Sequence, residues 1–324
     1  MRVDDPWGGE VHIEPDEYPC DHDRVAVIVV MYKSEELLPD FVTALRIGME
    51  GVPYELVAVD NASPDASAEV MEKLAPEAVI VRTGQNGGYA SGINSGRNAA
   101  GAHTAVLVLN SDVRLRPGCG IELLQRLKRP GIGIAVPKLF DGNGDVIDSM
   151  RREPTALRAI GDAILGARRA GRIDALGEIV SSMEEYDVER LTDWAEGSTQ
   201  MVSSECWDSC GPWDESFFLY CEETEYDLRA RDRGYRTLFV PTAEAVHLAG
   251  GSGTSNELWT LQVTNRILLF RRRNGAPKTV VYWLATLLRE MTRALMGRSN
   301  SAAAVRGLLK PNVLRFALRG QEKI

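Results

Sequence analysis

Between Arg24 and Leu109 the chain alternates four times between an apolar run and a helical pattern, and this alternation limits the fold more than any other feature. The runs are Arg24 to Met31 (RVAVIVVM), Tyr54 to Val59, Ala78 to Arg82 and Thr104 to Leu109. Continuous Val, Ile and Leu without polar alternation predicts strands covered on both faces. Helical patterns follow at Ser34 to Met49, where Leu37, Leu38, Phe41, Leu45 and Met49 recur at helical spacing, at Ser67 to Leu74 and at Ile93 to Gly101. Strand and helix in strict turn demand right-handed crossovers, hence an α/β, Rossmann-like fold with a mostly parallel sheet flanked by helices.

Each strand pattern ends in polar residues: Tyr32-Lys33, Asp60-Asn61, Asn86 to Tyr89 and Asn110-Ser111-Asp112. Ligands of open α/β sheets bind beyond the carboxyl ends of the strands, so the four clusters are expected to converge on one crevice. Any one of them alone reads equally well as a turn former. The loop Gln85 to Asn94 (QNGGYASGIN) allows close backbone approach and offers helix N-terminal N–H groups to an anion, although an ordinary strand-to-helix turn looks the same. It does not fit GxGxxG and follows the third run rather than the first, which counts against a dinucleotide-binding dehydrogenase. Asp112, at the tip of the run VLVLNSDV, could hold a hard divalent cation bridging phosphate oxygens, or serve as a cap.

The second half is less regular. Residues 137–190 mix a turn, Asp141-Gly142-Asn143-Gly144, with an arginine-rich helical stretch, and none is assigned to a site. Strand-like material returns at Thr199 to Ser203 and Thr237 to Pro241, either side of Phe217 to Cys221, an acidic cluster and a short helix ending at Arg233-Gly234. Glu222 and Glu223 emerge from apolar surroundings that can raise a carboxyl pKa to a useful general-base value; decoration of a helix N-terminus is the plainer reading. His247 follows an apolar run and precedes a glycine turn, a place for a ligand or for a structural histidine. Trp194, Trp207 and Trp213 could face a sugar or simply pack.

The 324 residues carry a formal charge of −9, which argues against general nucleic-acid binding. Yet residues 258–319 hold twelve Lys/Arg against the single acid Glu290, so an acidic body carries a basic tail. The apolar residues interleaved with Arg at Leu258 to Arg273 and Lys278 to Leu295 read as an interfacial surface for peripheral membrane contact, as a bundle packed on the rest of the chain, or as a homodimer contact. Cys20, Cys119, Cys206, Cys210 and Cys221 form no CxxC pair and are expected to be reduced thiols. The polar, acidic start (1–23) reads as a flexible leader and not a signal peptide, and no run approaches a membrane span. A cytoplasmic location, at most peripheral at the inner face of the membrane, is expected.

Six stretches, "VAVIVVMYKSEELL", "ELVAVDNASPDAS", "QNGGYASGINSGRNAA", "LVLNSDVRL", "ESFFLYCEETEYDLRARDRGYR" and "VHLAGGSG", occur in the order found in family 2 glycosyltransferases of the GT-A fold, and the chain resembles their rhamnosyltransferase-like branch. The resemblance implies a GT-A catalytic domain over 24–255, with a nucleotide-sugar half (24–115) and an acceptor half (116–255), followed by a basic helical region (256–324). It implies that Asp60 and Asn61 contact the base and ribose of the nucleotide, and that Asn86, Gly87, Gly88 and Asn94 form the donor loop; Tyr32, just past the first strand, is a further nucleotide-contact candidate. Asn110-Ser111-Asp112 stands where the family has its DxD motif, with Asn110 in place of an aspartate; Asp112 and His247 would hold Mg²⁺ or Mn²⁺. Glu223 matches the catalytic base, with Glu222 as runner-up, and Glu196-Gly197-Ser198 corresponds to a loop near the acceptor.

The implied activity is inverting, metal-dependent transfer of a sugar, first choice L-rhamnose from dTDP-rhamnose, to a hydroxyl of a lipid-linked glycan or a small-molecule natural product. A UDP-sugar donor is the nearest alternative. A sugar nucleotidyltransferase would want a glycine-rich basic loop after the first strand, where Met31 to Glu35 stands instead. A non-catalytic sugar-nucleotide or glycan-binding protein is the third reading.

Overall fold

The computed structural model describes residues 23–248 and 255–319, so the expected leader and the end of the VHLAGGSG stretch lie outside the described residues. The chain forms two compact units, one of residues 23–150, 183–218 and 222–248, the other of 151–182, 219–221 and 255–319.

In the first unit, nine strands form one sheet: β1 (Val25–Met31), β2 (Tyr54–Asp60), β3 (Val79–Arg82), β4 (Ala105–Asn110), β5 (Val113–Leu115), β6 (Ile132–Phe140), β7 (Arg190–Thr192), β8 (Thr199–Ser203) and β9 (Arg236–His247). Their order is β3-β2-β1-β4-β8-β6-β9-β5, with β7 paired to β9. Every residue of β1 is buried, as its unbroken Val and Ile run requires of a central strand covered on both faces. β1 pairs in parallel with β2 and β4, and β2 with β3, so the first four strands end on the same edge. Helices Leu38–Gly48, Ser67–Leu74 and Tyr89–Ala99 make the crossovers between them. Phe41, Leu45 and Met71 pack with Val25, Val27 and Leu107 in one core.

The parallel pairing expected from the alternation holds for β1 to β4, and beyond β4 the sheet is mixed. β8 runs antiparallel to both β4 and β6, β9 is parallel to β6, and β5 is antiparallel to the end of β9. Pairing between segments this far apart in sequence leaves no periodic trace. Two boundaries also differ from the sequence reading. The third helix begins at Tyr89, not Ile93, and β9 continues past Pro241 to His247.

The second unit is helical: Ala156–Leu165, Asn256–Arg273, Ala276–Leu295, Ser299–Leu308 and Pro311–Arg319. Val263, Ile267, Phe270, Tyr282, Ala304 and Leu308 make its core, in which the Phe270 and Tyr282 rings stack with centroids 4.0 Å apart. Asn265 Nδ2 donates to the carbonyls of Leu219 and Tyr220 at 2.9 and 3.1 Å, which ties the 219–221 segment to the Asn256–Arg273 helix. The sequence reading assigned 151–182 to the acceptor half; in the structure this segment groups with the C-terminal helices.

Candidate active site

The site is built at the carboxyl edge of the parallel strands, starting from Asp112 in the turn between β4 and β5. Ser111 and Asp112 are both nearly buried. Ser34 Oγ, just past β1, lies 2.8 Å from Ser111 Oγ, while Arg114 braces the turn by donating to the carbonyls of Ser111, Val113 and Leu37. The antiparallel register of β5 with β9 sets His247 opposite Val113, and the Leu248 N–H donates to the Asp112 carbonyl. That register alone brings His247 Nε2 to 3.4 Å from Asp112 Oδ1.

On the other side of the imidazole, His247 Nδ1 meets Glu196 Oε1 at 2.6 Å. Burial disfavours the charged ring, but hydrogen bonds to Asp112 and Glu196, with the charge of both carboxylates, raise its pKa to about 10. An imidazole pKa raised from its usual value near 6.5 stabilises this arrangement fully below that value. The stabilisation is lost as pH rises through about 10.

Glu196 belongs to a short loop leading into β8, where the Asn110 N–H donates to the Ser198 carbonyl at 3.0 Å. The same loop touches the helix Glu222–Asp232. A Cβ added to Gly197 would lie 2.8 Å from Glu223 Cβ, so only glycine lets the two approach this closely. Asp227, one turn further along that helix, accepts from the Ala195 N–H at 3.0 Å and from Gln200 Nε2 at 3.2 Å. Asp112, His247, Glu196 and Glu223 thus lie around one loop. Glu222 is buried, 3% exposed, whereas Glu223 is half-buried and so remains within reach of a substrate.

The glycine loop closes the other wall. Asn61 Nδ2 donates to Asn86 Oδ1 at 3.1 Å and to the Gly88 carbonyl at 3.0 Å, and Asn61 Oδ1 accepts from the Gly87 N–H. Gly88 has φ of 91°, and a Cβ there would meet the Phe218 carbonyl oxygen at 2.2 Å; the adjacent Tyr89 N–H donates to that same carbonyl. Asp60 Oδ1 accepts from the Ser63 N–H, and Tyr32 stands largely exposed past β1. The four non-glycine residues of positive φ among those described are Lys33, Ala62, Tyr220 and Cys221. They stand after β1, after β2 and just before Glu222, and backbone strain of this kind gathers at functional sites.

One predicted residue points elsewhere. Asn94 Nδ2 donates to the Trp213 carbonyl and to Glu215, and its Oδ1 accepts from the Trp213 N–H, so its amide braces the Trp213 turn instead of facing the strand ends. Two further residues come from stretches already marked in the sequence, the Asn86 to Tyr89 cluster and the Glu196-Gly197-Ser198 loop. Tyr89 Oη sits 3.4 Å from the Gly197 carbonyl, and desolvation with the charges of Glu222, Asp112 and Glu223 pushes its pKa well above the usual phenol value. Glu196, expected as part of a loop near the acceptor, is paired with His247. Trp213 stacks on Tyr226, with centroids 4.8 Å apart, and is 1% exposed; it is packing, not sugar-facing surface.

The donor set fits a small divalent ion. A carboxylate oxygen and an imidazole nitrogen 3.4 Å apart are close enough to be neighbouring ligands, and Glu196 on Nδ1 has the place of the carboxylate that orients a metal-bound histidine. Among the described residues no group of three or more His, Cys, Asp or Glu is arranged to hold a metal. Two protein donors with substrate phosphates and water completing the shell is the usual arrangement for Mg²⁺ and Mn²⁺ sites of this kind.

The fold is that of GT-A glycosyltransferase structures. The structure covers 94% of its own chain and 86% of the mannosyltransferase PcManGT from Pyrobaculum calidifontis, solved with GDP-Man and Mn²⁺, at a TM-score of 0.54 and 15% identity. S. aureus TarS in complex with UDP-GlcNAc gives 0.54, with 91% and 81% of the chains covered. Residues 26–176 match the model of the family described as Glycosyl transferase family 2. The chain is 26% identical over 312 residues to an N-acetylglucosaminyl-diphospho-decaprenol L-rhamnosyltransferase of Mycobacterium tuberculosis, spanning 89% of this chain and 97% of that protein. A low-salt glycan biosynthesis hexosyltransferase, Agl10 of Haloferax volcanii, is 29% identical over 69% of this chain and 67% of its own length.

The Asp227 carboxyl yields a test of the site's electrostatics. Burial and the nearby Glu223 charge hold its pKa well above the usual aspartate value, so it stays protonated in the fold while the unfolded chain ionises. A folded-state pKa raised in this way gives stability that is complete below about pH 4 and falls by about 1.4 kcal/mol per pH unit until the folded pKa is reached. Asp227→Asn keeps the acceptor oxygen and removes this loss. Urea midpoints from pH 5 to 8 should show its advantage over the parent widening with pH; a constant gap would contradict the neutral acid.

Proposed function

We propose that the protein is an inverting glycosyltransferase that moves a sugar from a nucleoside diphosphate to an acceptor hydroxyl, with Glu223 as general base and Asp112 and His247 as protein ligands of a divalent ion. The observation that carries this reading is the Glu196-Gly197 loop, which hydrogen-bonds His247 on one side and packs against Glu223 on the other. A diphosphate and an acceptor hydroxyl on opposite sides of one anomeric carbon need these two functions within one cleft.

Asn61 and Asn86 orient the nucleotide at the ends of β2 and β3, and the backbone of Gly87 and Gly88 follows the diphosphate. Asp60 and Tyr32 flank the base and ribose, and Asn110 and Ser111 line the ribose–diphosphate side. A bound Mg²⁺ or Mn²⁺ would supply Lewis-acid neutralisation of the charge that builds on the departing diphosphate. Glu223 accepts the proton of the acceptor hydroxyl as its oxygen forms the new bond to the anomeric carbon. The bond from that carbon to the diphosphate oxygen breaks in the same step, and configuration inverts. Tyr89 remains a neutral phenol whose hydroxyl donates to the Gly197 carbonyl beside the carboxylates, while Glu222 is buried and out of reach of a substrate.

The rhamnosyltransferase relative supports L-rhamnose as the donor sugar and a diphospho-lipid-linked glycan as the acceptor; dTDP is the carrier expected for that sugar. The assignment is tested with a panel of dTDP-, UDP- and GDP-sugars, by thermal stabilisation with and without Mn²⁺ and mass detection of the product. Stabilisation by dTDP-rhamnose with Mn²⁺ and transfer to a polyprenyl-diphosphate sugar are expected. Glu223→Gln should retain donor binding and lose about 10²- to 10⁴-fold in kcat. Donor binding with no turnover in the parent chain, under any donor, would make it a binding protein instead.

A second outcome follows from His247. Because its pKa stands at about 10 in the metal-free fold, an ion bound at pH 8 displaces a proton. Calorimetry of Mn²⁺ binding in buffers of different ionisation enthalpy should report release of about one proton per ion, absent in His247→Ala. Binding without proton release would remove His247 from the ligand set.

A further inference from the structure

The helix Ala276–Leu295 of the second unit has its chemistry the wrong way round for a helix of a water-soluble bundle. Its buried residues are Thr279, Tyr282, Ala285, Thr286 and Glu290. Its exposed apolar residues are Val281, Leu284, Leu288, Met291 and Leu295, at 42%, 51%, 49%, 46% and 87% exposure. Successive gaps of three or four residues put all five on one stripe, along the full length of the helix. Met296, at 71%, extends it.

The rotation of the helix is fixed from inside. Glu290 is fully buried, accepts from Trp259 Nε1 at 2.8 Å and Arg289 Nε at 2.9 Å, and has Arg293 within 3.9 Å. Turning the leucines inward would expose Tyr282 and break these contacts, so the stripe is held outward by the packing of the unit itself. The helix Ala156–Leu165, packed against it, adds Leu157 and Ile164 at 52% and 70% exposure. Contiguous apolar surface of this kind on a folded unit marks an interaction site.

Charge selects what covers it. Exposed Lys278 and Arg298 stand at the two ends of the stripe, and exposed Arg168 and Arg169 follow shortly after Leu165. Residues 256–319 carry twelve Lys/Arg against Glu257 and the already neutralised Glu290, within a chain whose net charge is −9. Two copies meeting on this face would bring like-charged units together. An anionic surface with an apolar interior satisfies both the leucines and the basic residues. No helix among the described residues is long and apolar enough to cross a membrane, so the geometry is that of a helix lying on the surface.

We propose that the outward stripe Val281, Leu284, Leu288, Met291 and Leu295 docks the protein on an anionic lipid surface, with Lys278 and Arg298 at headgroup level. The inference stands on the helical unit and does not depend on the donor or acceptor assigned above.

The test is co-sedimentation of the full chain with vesicles of phosphatidylglycerol and phosphatidylcholine, against phosphatidylcholine alone. The parent chain should sediment with the anionic vesicles only, and less so as salt is raised. The combined variant Leu284→Ser, Leu288→Ser, Leu295→Ser should bind about tenfold more weakly while keeping the parent circular dichroism. Should that variant fail to fold, an environment-sensitive fluorophore on Leu295→Cys, in a Cys20→Ser background, gives the same answer from a single exposed site. Its emission should shift to the blue on adding anionic vesicles. A parent chain that stays in the supernatant with transferase activity intact overturns the docking surface and leaves the chemistry standing. So does an unshifted fluorophore, or a dimer in light scattering that the triple variant dissociates.

Discussion

The antiparallel pairing of β5 with the last residues of β9 is the constraint on which the site depends. Neither strand belongs to the βαβ series β1 to β4. Their register sets His247 beside Asp112, and from there the contacts run through Glu196 to Gly197 and on to Glu223. A slip of one residue in that pairing would turn His247 to the opposite face of the sheet and dissolve the arrangement.

The rigid part of this design is unremarkable chemistry: Val, Ile and Leu in β1 and β4, fully buried. The strained part lies at its edge, in the left-handed backbone of Lys33, Ala62, Tyr220 and Cys221 and in the close contact of Gly88 with Phe218. A core that tolerates no movement can hold loops in conformations they would not adopt alone. Several carboxylates lie near Tyr89, and their mutual repulsion in a desolvated place is relieved in the metal-free fold by a proton on His247 and by a neutral Asp227. On the proposed reading, a divalent cation bound there would take over the proton's role.

Much of this was legible in sequence, for physical reasons that also mark the limits. Local periodicity betrays buried parallel strands, so β1 to β4 and the polar residues capping them were read nearly to the residue. Asp112, Asn61 and Asn86 came from the same pattern, and the glutamates from an acidic pair set behind Phe217 to Cys221. Position along the chain does not tell which way an amide points: Asn94, expected in the donor loop, lies in the helix Tyr89–Ala99 and is held by the Trp213 turn, 119 residues away. The partners of Tyr89 and Glu196 were not legible because they are long-range: Tyr89 meets Gly197, and Glu196 meets His247. The antiparallel half of the sheet was hidden for the same reason. In the second unit the arginine-rich composition was plain, but Glu290 inside and leucines outside could be told apart only once the helix had a rotation.

The account is tested most directly by anomalous diffraction from crystals grown with Mn²⁺ and a nucleoside diphosphate. It predicts one manganese peak bonded to the side chains of Asp112 and His247 and to the diphosphate, with Glu196 still on Nδ1 and Glu223 facing the same cleft. A manganese peak elsewhere on the nucleotide, with Asp112 and His247 still paired to each other, would contradict it.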